Sequence, residues 1–64
     1  MKNFITSLKG KKFVINLKHS KDTPTVLENE EVKFLDDNVV IIPAKNIAIN
    51  VDEIAFIKFN GKEY

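Results

Sequence analysis

Residues 31–43 read Glu31-Val32-Lys33-Phe34-Leu35-Asp36-Asp37-Asn38-Val39-Val40-Ile41-Ile42-Pro43, and the fold turns on this stretch. Val32 and Phe34 alternate with Glu31 and Lys33, which is the two-residue period of a half-buried strand. Leu35-Asp36-Asp37-Asn38 then supplies turn chemistry, because Asp and Asn bond their own backbone and tolerate left-handed angles. Val39-Val40-Ile41-Ile42 is continuously apolar and β-branched, so both faces of the strand it forms should be covered. Pro43 stops it. A strand, a tight hairpin and a second strand in so short a span predict a chain that is mostly β.

Towards the C-terminus, Pro43-Ala44-Lys45-Asn46 is a short connection, after which Ile47, Ile49 and Val51 alternate with Ala48 and Asn50 as a further strand. Asp52-Glu53 breaks it before Ile54-Ala55-Phe56-Ile57-Lys58-Phe59, the last strand. Asn60-Gly61 is a type I′ turn pair, but with three residues behind it the hairpin is expected to be abortive.

Towards the N-terminus, Thr25-Val26-Leu27 has β character and is separated from Val32 by the polar run Glu28-Asn29-Glu30-Glu31. One long bent strand with a bulge near Asn29 accommodates this, since bulges supply sharp twist; a separate hairpin turn at Glu28–Glu31 is the alternative. His19-Ser20-Lys21-Asp22-Thr23-Pro24 is a loop. Before it a strand begins at Lys12, with Phe13, Ile15 and Leu17 facing one way. Phe4, Ile5 and Leu8 share one side of a short helix over residues 2–9, which Gly10 ends. The expected fold class is mostly β: a five-stranded, strongly bent small barrel with a short N-terminal helix, as one domain over residues 1–64.

Composition narrows the function classes. The chain has 64 residues, no Cys and one His, so neither disulfides nor a His/Cys metal site can reinforce its small core. Oligomerisation is the device left. No signal-peptide pattern and no long apolar run is present, which predicts a cytoplasmic protein without a membrane partner. All ten cations are Lys, and the missing Arg argues against sequence-specific duplex recognition. Residues 1–21 hold six Lys and no acid, whereas residues 22–37 hold six acids and one Lys. The Lys-, Asn- and Ile-rich composition is of the kind that AT-rich bacterial or phage genomes encode.

The order of elements resembles the Sm-like family of RNA-associated barrels over about residues 3–59: a short helix, then Leu8-Lys9-Gly10-Lys11-Lys12-Phe13-Val14-Ile15-Asn16-Leu17, a bent strand, the Phe34–Ile41 hairpin and a paired β-finish. Asp36 or Asp37 with Asn38 is similar to the close of that family's first motif. Ile49-Asn50-Val51-Asp52-Glu53-Ile54 matches the frame of the second, with Asn50 where the family carries Arg and Val51 where it carries Gly. The bent-strand Gly of the family falls near Asn29. What the resemblance implies is an Sm-like, or Src-homology-like, barrel that binds single-stranded RNA. Asp36, Asp37, Asn38 and Asn50 would meet base edges, and Lys9, Lys11 and Lys12 would attract phosphate.

Read on their own, the residues support no catalytic chemistry. His19 and Ser20 are loop neighbours that do not converge as a nucleophile and base. Glu28, Glu30, Glu31, Asp36 and Asp37 lack calcium-loop spacing and serve better as charges against edge-to-edge aggregation. Gly10 and Gly61 form no phosphate loop, so no cofactor, metal or small-molecule substrate is expected, and no enzyme. Val39–Ile42 and Ile54–Phe59 carry more apolar surface than one small core hides, which predicts a homo-oligomer through these late strands. The alternative is a protein–protein adaptor or structural subunit with no nucleic-acid role.

Overall fold

The alternation that marks Phe13–Leu17 places Phe13 and Ile15 inside, and the computed structural model, which describes residues 1–64, folds that segment as strand β1. Before it, helix α1 (Lys2–Ser7) drops Ile5 into the core, and Leu8 follows at its C-terminal end. The helix is two residues shorter than residues 2–9 because Leu8, Lys9 and Gly10 tighten into a turn, with Gly10 at φ +78°. A helix this short is marginal by itself and is held by the burial of Ile5 and Leu8.

The expected long bent strand is two strands, β2 (Thr25–Val26) and β3 (Lys33–Asp36), and they do not pair with each other. Between them the Glu30 amide donates to the Leu27 carbonyl at 3.0 Å, and Glu30 Oε2 accepts from the Leu27 amide at 3.2 Å. The polar run therefore closes a local turn, and the chain crosses from one sheet to the other there. The alternative, a hairpin turn at Glu28–Glu31, does not form either: the chain turns there but crosses between sheets, and the flanking strands do not pair.

The remaining elements are β4 (Val39–Ile42), a 3-10 turn at Pro43–Lys45, β5 (Ile47–Asn50), a 3-10 turn at Val51–Glu53, β6 (Ile54–Phe59) and β7 (Lys62–Glu63). Two antiparallel sheets result, ordered β2-β1-β6-β7 and β3-β4-β5. Bulges fall at Leu35, where Phe34 pairs with Val40 and Asp36 with Val39, and in β6 at Ala55. The bulge expected near Asn29 is absent, because that segment belongs to no ladder.

The C-terminal hairpin forms, contrary to expectation. Asn60 and Gly61 adopt φ 55° and 80°, the two left-handed angles of a type I′ turn. Tyr64 and Ile57 then exchange both backbone hydrogen bonds, at 3.0 and 2.8 Å, so three residues are enough. One cluster of ten buried residues, all apolar, draws on α1 and both sheets: Ile5, Leu8, Phe13, Ile15, Val26, Val40, Ile42, Ile49, Ile54 and Ile57.

Candidate functional site

The β3–β4 turn is built by its own side chains. Asp36 Oδ1 accepts from the Asn38 amide at 2.7 Å, which fixes a two-residue loop of Asp37 and Asn38 between paired Asp36 and Val39. Across the sheet, Asn50 ends β5 opposite Val39, and its Oδ1 accepts from the Asp52 amide at 2.9 Å, capping the next 3-10 turn. The Val51 amide donates to the Asn38 carbonyl at 2.7 Å. Asp36, Asp37, Asn38 and Asn50 are thus brought to one end of the three-stranded sheet, all four exposed.

Their side chains are not equally available. Asp36 and Asn50 spend one oxygen each on local backbone, and Asp37 Oδ1 takes the Lys2 ammonium at 2.8 Å. That hydrogen bond, and then the Lys2 charge, hold the Asp37 carboxyl below the usual carboxylate value. The Asn38 side chain has no protein partner and is the freest hydrogen-bonding group at this end.

The lysines expected to join them lie elsewhere. Lys9 and Lys11 line a cleft between the end of α1 and the crossover, facing Glu28, Glu30 and Glu31 over a floor that includes Leu8 and Phe34. Lys11 Nζ stands 5.5 Å above the Phe59 ring, and Glu30 Oε1 pairs with Lys45 at 3.2 Å. Lys12 is exposed and makes no ion pair. The cation that does reach the hairpin is Lys2, which also lies 5.6 Å over the Phe34 ring. Sequence reasoning missed it, because nothing local marks a contact across 35 positions.

The late strands sit inside their sheets. Strand β4 lies between β3 and β5, and β6 between β1 and β7. Val40, Ile42, Ile54 and Ile57 are buried, whereas Val39, Ile41 and Phe56 are half-buried and outside the core cluster. Val39 and Ile41 therefore face outwards, with Ala48 beside Ile41. Leu35, the bulged residue, is 70% exposed.

His19 and Ser20 remain exposed loop residues, and the Ser20 hydroxyl oxygen accepts from the Asp22 amide at 3.1 Å. No three His, Cys, Asp or Glu side chains gather to hold a metal, and no helix is long and apolar enough to cross a membrane. No protein-family model, curated protein or solved structure matches the chain.

Proposed function

We propose that this chain is a small self-associating binding module similar to the Sm-like proteins, with single-stranded RNA as its ligand at the β3–β4 hairpin end. The observation that carries the reading is the 2.7 Å bond from the Val51 amide to the Asn38 carbonyl. It draws together the two segments that resemble the family's two motifs, residues 36–38 and 49–54, although they are separated along the chain. The barrel part of the reading is supported by the crossover from β2 to β3, which takes the chain from one sheet to the other so that both cover a single core. Overall extents of 24 × 22 × 21 Å suit two sheets folded round one core.

RNA contact at this end uses Asn38 first, then the unbonded groups of Asp37 and Asn50, as base-edge donors and acceptors. Phosphate attraction from Lys9, Lys11 and Lys12 acts at longer range and is salt-sensitive. Self-association draws on the outward Val39 and Ile41 of β4 and on β6. The experiment is native mass by light scattering at two salt levels, with ultraviolet absorbance recording bound nucleic acid. Rings of several subunits carrying RNA, lost from Asn38→Ala/Asn50→Ala while the mass is kept, are expected; a nucleic-acid-free monomer overturns the reading.

A second reading, a protein–protein adaptor, is favoured by the outward Val39–Ile41–Ala48 patch, because apolar side chains on the outer face of a central strand gain by being covered.

A further inference from the structure

The outer strands of the two sheets do not guard their edges alike. Strands β2 and β7 are two residues long, and β3 carries Lys33, Asp36 and a bulge at Leu35. Short length, charge and bulging keep an edge from pairing with other strands. Strand β5 has none of these devices: Ile47-Ala48-Ile49-Asn50 is uncharged, lacks Pro and pairs one-to-one with β4 along its length. When two copies of the chain meet, the unguarded edges are therefore the two β5 strands.

Backbone alternation fixes what this edge presents. Because the Val51 amide bonds the Asn38 carbonyl, the Asn50–Val39 pair is a non-hydrogen-bonded one, and Ile47 and Ile49 turn their amide and carbonyl groups towards β4. Those of Ala48 and Asn50 point to the open side. Both residues are exposed, and no hydrogen bond ties the bordering His19–Thr23 loop to β5.

The two ends of β5 carry opposite charge. Lys45 precedes the strand and pairs with Glu30 at 3.2 Å, while Asp52 and Glu53 follow it, both exposed and in no ion pair. Lys18, whose amide donates to the Glu53 carbonyl, adds one positive charge there and leaves that end net acidic. Antiparallel pairing of two copies sets the Lys45 end of each strand beside the acidic end of the other. Parallel pairing would set like charges together, which is unfavourable.

We infer that two copies of this chain join β5 to β5, antiparallel, across a two-fold axis at Ile49, so that their three-stranded sheets become one. This register uses every open group. Ala48 of each copy exchanges both backbone bonds with Asn50 of the other, and the two Ile49 residues face each other as a non-hydrogen-bonded pair. The joint takes only the backbone of Asn50 and leaves the Asn38 side chain untouched. The inference rests on the self-association in the proposed function and adds a rule of number: the same patch serves both partners, so a ring built with this joint holds an even number of subunits.

The test is native mass by light scattering, with amide hydrogen exchange read by NMR, on the full chain over a dilution series. The expected species contains two chains or a larger even number, with slow exchange at Ala48 and Asn50 that becomes fast as dilution releases single chains. Ala48→Pro removes an open-side donor without touching the β4 ladder, and Pro is tolerated on edge strands. The two-fold axis counts that lost bond twice, so association should weaken about tenfold or more. Glu53→Lys changes an exposed side chain and sets a second cation against Lys45; association should weaken, and molar salt should narrow the difference from the unaltered chain. A single chain at every concentration overturns the inference and the self-association together. An odd number of chains, fast exchange at Ala48 and Asn50 in the associated species, association indifferent to Glu53→Lys, or unchanged association of a folded Ala48→Pro chain overturns the inference alone.

Discussion

Lys2 Nζ lies 2.8 Å from Asp37 Oδ1, so the first turn of α1 is tied to the tip of the β3–β4 hairpin. The carboxyl is held below its usual value of 3.8 by the hydrogen bond first and the ammonium charge second. A depressed folded-state value means the contact favours the fold above the unfolded-state value and is lost as the pH falls through the folded one. Its window is therefore acidic, below about pH 4. Lys2→Met should return the Asp37 titration, followed by NMR, to the ordinary range, and molar salt should do the same because both groups are exposed. At neutral pH the melting temperature should barely move. An Asp37 titration indifferent to both changes would show that the pair does not form.

Ile15 and Ile57 face each other across β1 and β6, and neither is exposed. Ile57→Ala leaves a cavity between the strands that join the chain's two halves. It should cost about 2–5 kcal/mol, against about 0.5–1.5 for Ile57→Val. Chemical denaturation should find the Ala variant largely unfolded, given the thin margin of a domain this small.

Gly61 has φ +80° with open space where a Cβ would stand. The effect of Gly61→Ala is therefore backbone strain alone, about 1–2 kcal/mol. Because it acts on the C-terminal hairpin, hydrogen exchange should rise first at Tyr64 and Ile57. Uniform acceleration across both sheets would mean that the hairpin unfolds only with the whole.

Glu30 fastens the crossover twice, through its Leu27 amide bond and the Lys45 ion pair, and its side chain is 15% exposed. Glu30→Ala should cost about 1–3 kcal/mol, more than a typical surface charge, because the Leu27 amide loses its acceptor. Lys45→Met should cost less. Equal losses in thermal melts would assign the effect to the ion pair instead.

Strands β1, β4 and β5 were legible because each carries its own period of two or an unbroken β-branched run, β6 because it is a mostly apolar run bounded by Asp52-Glu53 and Asn60-Gly61, and the Asp36–Asn38 turn because its side chains act locally. The split between β2 and β3 was not, since it depends on Glu30 folding back onto Leu27, a contact without a sequence signature. The C-terminal hairpin forms despite its three-residue second arm because the left-handed Asn60 and Gly61 aim the chain back so that Tyr64 reaches Ile57. At the candidate site, Asn38 and Asn50 were grouped only through the Sm-like resemblance, and it is the β4–β5 register that sets them at one end of the sheet. The lysines could not be placed in this way: Lys9 and Lys11 are directed by where α1 ends, and Lys2 reaches Asp37 only through the docking of the helix.

The two sheets also differ in how far apart their partners lie along the chain. Strands β3, β4 and β5 form a meander between Lys33 and Asn50, each joined to the next by a short connection, whereas β1 must find β6 at the far end. Loop closure makes the first set of pairings fast and the second slow. The meander should be formed when the chain crosses its folding barrier, with β1 and β6 closing afterwards. Substitutions in β4 will then slow folding, while those at Ile15 or Ile57 will chiefly hasten unfolding.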